Sequence, residues 1–434
     1  MERLRISLFI FSTIALLGVL CTVFPEEGVR IAGSTLRFPT LSEVLEKPEE
    51  APVPSAVQSG KEDGPRDHFS FPGGDSSYFD AFFEELAGAY AKRVNIVHYG
   101  DSQIEEDRIS SSLRDRLQTR FGGGGTGILP AATYYTVRES VSASAELTSF
   151  LVFGPEETKA GNNSYGPRGQ FVRLDSTVTV SFRPARKSSQ PSRFFNRLTV
   201  YGSGSLAISC KGRTQKTISA AVINCNSFEL PDSSINASVT ISGAGDIYGI
   251  SLFNDRGVSV DNIPMRACSG TVFTAINRLQ LEEYFKDSGT AMVILQYGGN
   301  GVPYLKTGKA ISEYCDMLER QIQRVKSVAP QAAILFIGPS DMATSVNGKR
   351  QTYPHLSEFV DSLKAGVTAS GAAYWDMFSA MGGEGSMVGW VKGQPALAGP
   401  DYIHFTVAGA EKMGGMLADE LIERYDIYNR KQDD

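Results

Sequence analysis

Residues 94–104 read VNIVHYGDSQI, so that an apolar run passes into a turn of small residues and then into an acidic segment. The pattern predicts a buried strand ending near Gly100 and a helix that begins with the carboxylates of residues 105–107 and runs to about residue 121. Ser102 lies in the turn between them. A serine hydroxyl needs a base to remove its proton and donors to stabilise the oxyanion. Ser102 is therefore a candidate nucleophile whose partners must lie elsewhere in the chain.

After residue 261, helical and strand-like patterns alternate. The predicted helices are residues 272–287, 309–328, 354–369 and 407–425, and the predicted strands are residues 291–296, 332–337 and 372–375. Apolar strands separated by helices predict an α/β fold with a parallel sheet covered on both faces. Ser102 and Asn300 each follow a predicted strand, and ligands of such sheets bind beyond the carboxyl ends of the strands. Both residues are therefore expected at the same edge.

Residues 141–261 have a different pattern. Short alternating runs, such as residues 178–182 and 237–241, are separated by Gly, Ser, Asn and Pro, which predicts an antiparallel β-sandwich inserted into the α/β domain. The α/β domain would then comprise residues 67–140 and 262–434. Cys210 and Cys225 flank a predicted turn, and an oxidising compartment would allow them to form a disulfide; paired and unpaired states both remain open.

The N-terminus predicts export. Arg3 and Arg5 precede an uncharged run over residues 6–24, so residues 1–24 are a signal peptide or an uncleaved membrane anchor. Lipidation of Cys21 is a third reading, although a bulky Leu precedes it. Residues 25–66 are rich in Pro, Glu, Ser and Gly and predict a flexible spacer. In each case the rest of the chain lies outside the cytoplasm.

The composition describes an ordinary globular protein. Of 434 residues, 41% are hydrophobic and 21% charged, so the chain can bury a large core. The net charge is −6 and the basic residues are dispersed. Nucleic acid is therefore not an expected partner.

Only four histidines are available as a general base, and His404 has the most suitable setting. It follows Asp401 by three residues, in a loop that leads into the last predicted helix. A carboxylate at that spacing can hold one imidazole nitrogen while the other faces the substrate. The alternative is a helix-capping Asp beside an incidental surface His. His98, inside the predicted strand, is interpreted as a packed or supporting residue.

Asn300 lies in a Gly-Gly-Asn-Gly segment directly after a predicted strand. Its amide could donate a hydrogen bond to an acyl oxyanion. The alternative is a turn that needs glycine for conformational reasons alone.

Two other motifs give weaker signals. The carboxylates of residues 105–107 could form a metal site, but the start of a helix explains them as well. The glycine-rich residues 122–127 lack the Gly-Lys-Ser/Thr ending of a phosphate-binding loop and follow a helix, which argues against a nucleotide site.

Together, Gly100-Asp101-Ser102, Gly298-Gly299-Asn300 and Asp401-Tyr402-Ile403-His404 resemble the motif blocks of the SGNH, or GDSL-type, hydrolases, in the same order. One departure is Gly301, which stands where the family often has Asp. In its predicted export and its long β-rich insertion, the chain resembles the peptidoglycan O-acetylesterase branch of this family. The inserted domain of that branch is similar to a carbohydrate module. The second-block glycine of that branch falls on residues 268–270 here, which makes Gly270 the expected backbone donor.

The resemblance implies a three-layer SGNH (flavodoxin-like) fold and an exported serine esterase that removes O-acetyl groups from a cell-envelope glycan, such as peptidoglycan. Ser102, His404 and Asp401 would form the triad, and Ser102, Gly270 and Asn300 the oxyanion hole. The scheme requires no cofactor or metal. The expected partners are an acetylated glycan and, if residues 1–24 are retained, the membrane.

Two other functions remain open from the sequence. A glycan O-acetyltransferase would use the same triad, and a non-catalytic glycan-binding protein would use only the scaffold. In the insertion, Asn196, Arg197, Tyr201 and Tyr248 are candidates for glycan contact, and packing over the active site without a ligand explains them equally well.

Overall fold

The computed structural model describes residues 19, 22, 29–31, 34–36, 67–185, 190–217 and 222–433. The chain divides into two compact units, Met1–Pro65 and Arg66–Asp434. In the first unit, Val29–Ile31 and Ser34–Leu36 pair as antiparallel strands, within the segment where the sequence predicts a flexible spacer.

Most of the predicted signal peptide or anchor lies outside the described residues. Within the described ranges, no helix combines the length and the apolar character that crossing a membrane requires.

The second unit contains a six-stranded sheet. Its order is Gly257–Pro264, Arg93–Gly100, Thr290–Gln296, Ala333–Ile337, Ala373–Trp375 and Phe69–Ser70. The first five strands are parallel, and the last is antiparallel to its neighbour. All of Thr290–Gln296 is buried, as expected for a strand covered on both faces. The predicted α/β class with a parallel sheet is therefore confirmed.

Helices pack against this sheet through two hydrophobic clusters. Side chains of a strand alternate between faces, and Val97 and Tyr99 join one cluster while Val94 and Ile96 join the other. The α-helices are Asp80–Ala87, Arg108–Phe121, Gln190–Arg193, Arg278–Asp287, Gly308–Val328, Leu356–Ala369, Met377–Ala380, Ser386–Lys392 and Val407–Asp433. The 3-10 helices are Pro72–Gly74, Ser76–Phe79, Ser102–Asp107, Glu156–Thr158, Phe273–Ala275 and Val302–Tyr304.

The helix predicted to begin at residue 272 begins at Arg278. The Asn277 side chain accepts hydrogen bonds from the N–H groups of Leu279 and Gln280, which is the arrangement of a helix N-cap. The preceding apolar residues belong instead to a separate 3-10 turn, Phe273–Ala275. The start of this helix is therefore set by the Asn277 side-chain cap and not by the spacing of the apolar residues.

The helix after Ser102 begins at Arg108 rather than at Glu105. Glu106 and Asp107 adopt φ angles of 58° and 67°, which interrupts the helical conformation. The Asp107 carboxylate turns inward and accepts two hydrogen bonds from the buried Arg114, at 2.6 and 2.9 Å. Asp107 is therefore a structural ion-pair partner rather than a solvated residue at a helix start.

A second, antiparallel sheet has ten strands. They are Gly127–Leu129, Tyr134–Tyr135, Glu139–Ala143, Ser149–Leu151, Gln170–Leu174, Thr177–Pro184, Arg197–Cys210, Arg213–Lys216, Asn224–Glu229 and Ala237–Phe253. All ten belong to one hydrogen-bonded network, so the two-layered sandwich stays a prediction. Two further strands, Ala343–Val346 and Lys349–Thr352, form a separate hairpin.

The change from one sheet to the other does not fall at the predicted residues 141 and 261. Gly127–Leu129 already pairs in the antiparallel sheet, and Gly257–Pro264 lies in the parallel sheet beside Arg93–Gly100. The latter strand is hard to recognise because it buries Asp261, whose carboxylate accepts hydrogen bonds from inside the protein. A buried polar residue with internal partners breaks the apolar pattern by which buried strands are recognised.

Close packing accounts for the glycine-rich residues 122–127. A Cβ atom on Gly123, which has a φ of 112°, would lie 2.2 Å from the carbonyl oxygen of Val258. The loop therefore needs glycine in order to pass beside the strand Gly257–Pro264.

Of the two states that the sequence leaves open for Cys210 and Cys225, the structure has the unpaired one, and both are free thiols. Cys225 pairs across the sheet with Tyr201, whereas Cys210 pairs with Arg213. Cys210 is the last residue of the strand Arg197–Cys210, whereas Cys225 lies opposite Tyr201, near the other end of the same strand. A disulfide would require them to face each other.

Candidate active site

Ser102 lies directly beyond the carboxyl end of the strand Arg93–Gly100. The Asp101 side chain accepts a hydrogen bond from the Gln103 N–H at 2.9 Å and so caps the 3-10 helix that Ser102 begins. The serine is therefore held in a defined turn at the edge of the parallel sheet.

His404 and Asp401 meet Ser102 at this edge. Ser102 Oγ lies 2.8 Å from His404 Nε2, and His404 Nδ1 lies 2.7 Å from Asp401 Oδ2. Because a carboxylate accepts at Nδ1, that nitrogen carries the proton, and Nε2 is left to accept from the serine hydroxyl. The structure thus brings the three residues together in the order that a general-base triad needs.

The Asp401 loop has a conformation of its own. Tyr402 adopts a φ of 60°, and Asp401 Oδ1 accepts hydrogen bonds from the N–H groups of Ile403 and His404, both at 3.1 Å. Partial burial raises the pKa of Asp401, but the hydrogen bonds from His404 and Ile403 outweigh it, and the net effect is a lowered pKa. Asp401 is therefore held in the ionised form that orients the imidazole.

Two side chains that sequence reasoning missed connect the serine turn to the histidine loop. Gln103 Nε2 donates to the Ile403 carbonyl at 2.7 Å, and Gln103 Oε1 accepts from the Phe405 N–H at 3.3 Å. Arg108 Nη2 donates to the Ser102 carbonyl at 2.8 Å, and its Nη1 donates to the Phe405 carbonyl at 3.3 Å. The sequence offers one faint signal, namely that the long polar side chain of Gln103 directly follows the candidate nucleophile, whereas nothing marks Arg108.

Asn300 lies beside the serine turn, as predicted, but its amide is engaged within the protein. Nδ2 donates to Asp101 Oδ2 and to the Cys268 carbonyl, both at 3.1 Å. Burial raises the pKa of Asp101 to about 6, although hydrogen bonds from Gln103 and Asn300 oppose the shift. Because Nδ2 carries only two hydrogens, one of these long bonds must open or be shared if Asn300 is to reach an oxyanion.

Gly270 does not have the position expected of an oxyanion donor. Its N–H donates to the Cys268 thiol at 3.3 Å, and a Cβ atom there would lie 2.6 Å from the Tyr297 ring. Gly270 therefore serves close packing. Ala267, three residues earlier, lines the cavity at Ser102 and adopts a φ of 60°. Within the described ranges, the backbone N–H of Ala267 and that of Ser102 have no hydrogen-bond partner.

The triad opens into a cavity of about 540 Å³. Its walls combine polar and apolar groups, among them Gln296, Asn300, Tyr304, Pro339, Met342 and His404. Such a cavity can hold a small acyl group together with part of a larger polar substrate.

The other histidines are engaged elsewhere. His98 is fully buried, with Nε2 3.0 Å from Gln296 Oε1 and Nδ1 2.9 Å from Ser110 Oγ, and burial lowers its pKa to about 3. His68 pairs with Glu420, and His355 pairs with Glu358. His98 thus packs behind the site, as interpreted from the sequence.

Two residues suggested for glycan contact in the insertion are buried instead. Tyr201 is 0% exposed and donates to Asp287, while Tyr248 is 2% exposed and contacts Ser203 Oγ at 2.7 Å. Neither ring can stack on a sugar in this conformation.

Neither a protein-family model nor a curated protein sequence matches the chain. A solved structure of a peptidoglycan O-acetylesterase aligns with a TM-score of 0.66 and 20% identity, and the alignment covers 83% of this chain and 99% of that protein. An acetyl xylan esterase aligns over 38% of this chain and 79% of its own, with 12% identity and a TM-score of 0.27. The periplasmic domain of a lipopolysaccharide acetyltransferase from Salmonella ser. Paratyphi A aligns over 39% and 72%, with 17% identity and a TM-score of 0.26.

The first of these alignments spans both the parallel and the antiparallel sheet, because it covers most of this chain and nearly all of the other protein. The predicted resemblance to peptidoglycan O-acetylesterase is therefore confirmed at the level of fold, because this chain shares the architecture of that structure.

Proposed function

We propose that this chain is a carbohydrate esterase of the SGNH type that removes O-acetyl groups from a cell-envelope glycan, with peptidoglycan as the substrate. The contact of 2.8 Å between Ser102 Oγ and His404 Nε2, with Asp401 on the other imidazole nitrogen, carries the proposal. The fold shared with a protein named for peptidoglycan O-acetyl ester cleavage supports the choice of substrate.

In this mechanism, Ser102 Oγ attacks the acetyl carbon while its proton passes to His404 Nε2. Asp401 stabilises the imidazolium that forms. The sugar oxygen then leaves with the proton from His404 and an acetyl-serine remains. A water molecule, deprotonated by His404, then attacks the acetyl carbon. The proton passes from His404 to Ser102 Oγ as the acetyl–oxygen bond breaks, which releases acetate and restores Ser102. This scheme uses no metal or organic cofactor.

The oxyanion needs donors on the side of the carbonyl opposite His404. We assign this role to the backbone N–H groups of Ser102 and Ala267, which are unpaired in the described part of the chain, and to the Asn300 amide. Ala267 replaces Gly270 in this role, since the Gly270 N–H donates to Cys268. Each such donor contributes about a hundredfold to a thousandfold in rate.

The fold proposal is a three-layer SGNH α/β domain with the antiparallel sheet as an insertion. The sheet pairings favour an insertion whose strands extend from Gly127 to Phe253. These bounds differ from residues 141–261, which the sequence predicted. Export through residues 1–24 completes the proposal and places the enzyme with its substrate outside the cytoplasm. Cell fractionation with a cytoplasmic marker enzyme tests the export; co-fractionation with the marker would contradict it.

The function is tested by acetate release from O-acetylated peptidoglycan, compared with acetylated xylan. The wild-type protein should release acetate and prefer peptidoglycan, and Ser102→Ala should lose activity by at least about a thousandfold. Ser362→Ala is a matched control, because Ser362 is an exposed helical serine whose hydroxyl, among the described residues, bonds only to the Glu358 carbonyl. Retained activity in Ser102→Ala would refute the mechanism, and a preference for xylan would refute the substrate.

A further inference from the structure

Arg168 is a buried cation with no counter-ion in direct contact among the residues that the structure describes. The residue is 4% exposed, and Nη1 donates to the Ile128 carbonyl at 2.9 Å. Nε is buried and has no partner, and Arg168 forms no ion pair with any described carboxylate. Burial lowers the pKa of Arg168, but a guanidinium remains charged in proteins. A buried charge is costly unless it is paired, so an unpaired one indicates a missing partner.

Arg168 lines a cavity of about 300 Å³ that adjoins the active site. Strands of the antiparallel sheet form one wall, and Pro264, Met265 and Arg266 form the other. Glu105 and Arg266 line both this cavity and the one that contains Ser102 and His404. A substrate whose ester lies at Ser102 can therefore extend toward Arg168.

The carboxylates nearby already have partners. Glu105 lies 3.6 Å from Arg266 in an exposed ion pair. Asp261, whose charge acts on Arg168 from within the core, accepts hydrogen bonds from the Ile128 N–H, from Asn95 Nδ2 and from the Tyr284 hydroxyl. Neither carboxylate neutralises Arg168 directly.

The turn that carries Arg168 is fixed to the strand leading to Ser102. Gly169 N–H donates to the Gly166 carbonyl at 3.1 Å, and the Tyr99 hydroxyl donates to the Pro167 carbonyl at 2.8 Å. Tyr134 lines the same cavity, and its buried hydroxyl has no partner among the described residues, so it is available as a neutral donor. A fixed guanidinium beside a neutral donor suits a carboxylate.

We propose that this cavity is a subsite in which Arg168 binds a carboxylate of the acetylated glycan. The inference rests on the proposed function and narrows the substrate class to glycans that carry a carboxylate near the acetylated sugar. In a peptidoglycan fragment, that carboxylate could belong to the lactyl ether of the sugar or to an attached peptide, and both offer the same chemistry to Arg168.

The test measures binding by calorimetry to the full-length Ser102→Ala protein, which needs no turnover. Three probes share one disaccharide of N-acetylglucosamine and N-acetylmuramic acid. Its lactyl carboxylate is free in the first, blocked as a neutral methyl amide in the second, and linked to an alanyl-glutamate dipeptide in the third. We expect one or both carboxylate probes to bind about 10- to 100-fold more tightly than the methyl amide. The probe that binds more tightly identifies the source of the carboxylate.

Further substitutions in the Ser102→Ala protein show whether Arg168 causes the tighter binding of the carboxylate probes. Arg168→Met should abolish it, Arg168→Lys should retain part of it, and Arg320→Met, an exposed arginine on the helix Gly308–Val328, should leave it unchanged. Equal binding of the three probes, or a preference that survives in folded Arg168→Met, would overturn the proposal. If Arg168→Met does not fold, binding of the three probes to the Ser102→Ala protein and to its Arg168→Lys variant still decides whether Arg168 binds the carboxylate. Acetate release by the wild-type protein from a neutral acetate ester tests the esterase function separately.

Discussion

At the scale of single residues, the triad combines short hydrogen bonds with side chains that are partly exposed to solvent. The side chain of Asp401 is 48% exposed and that of His404 is 37% exposed. Water can therefore reach His404 Nδ1 if the carboxylate is removed. The three residues should consequently differ in how much activity each one controls.

Asp401→Ala should therefore retain a kcat about a hundredfold higher than that of His404→Ala. The base is still present in Asp401→Ala, although its orienting carboxylate is lost. The measurement is kcat for acetate release by the two variants under the same conditions. Equal losses would show that Asp401 is as indispensable as the base itself.

Glu139 is a second residue whose burial has a measurable consequence. Burial raises its pKa from 4.5 to about 8, and its Oε1 has no partner among the described residues. The unfolded chain releases this proton near pH 4.5, whereas the folded protein keeps it up to about pH 8. The native state therefore binds more protons in this window, and stability falls as the pH rises through it.

Glu139→Gln should remove this contribution, which is at most about 1.4 kcal/mol per pH unit. Urea unfolding at several pH values between 5 and 8 measures the slope. Glu313→Gln, at an exposed helical position, is the control and should keep the wild-type slope. If Glu139→Gln kept that slope too, the assigned burial of the carboxyl would be contradicted.

At the scale of secondary-structure elements, the site depends on contacts between the serine turn and the histidine loop. Gln103 makes two of them, so Gln103→Ala should let the loop move. Gln103 also lines the cavity that contains Ser102. We expect kcat to fall about tenfold to a hundredfold, because the relative geometry of Ser102 and His404 is lost, and KM to change less than kcat. Gln323→Ala is matched, since Gln323 also donates to a backbone carbonyl, that of Ser370, away from the site. A similar loss in both variants would contradict a positioning role.

The ion pair between Asp107 and Arg114 stabilises the helix that follows the serine turn. Asp107→Asn leaves Arg114, 0% exposed, without its charge partner and should lower the free energy of unfolding by about 3–5 kcal/mol. Asp419→Asn breaks the exposed pair with Arg116 and should cost at most about 1 kcal/mol. Urea unfolding compares them, and equal effects would contradict the structural role of the buried pair.

At the scale of the whole molecule, the regular part of the fold was predictable from the sequence. The apolar run of Thr290–Gln296 and the alternation of helices and strands indicate a parallel sheet, and the rule for its carboxyl edge places Ser102 near Asn300. Contacts that depend on one backbone conformation were not predictable. The positive φ of Ala267, the backbone partners of Gln103 and the buried Asp261 within a strand leave no periodic signal.

The central claim is that His404 activates Ser102 for covalent acyl transfer. It is tested most directly by locating the serine that a fluorophosphonate modifies. The full-length protein is labelled and then digested, and the labelled peptide is identified by mass mapping. The label is predicted on Ser102 in the wild-type protein and should form far more slowly in His404→Ala. Labelling of another serine, or an equal rate at Ser102 without His404, would contradict the claim.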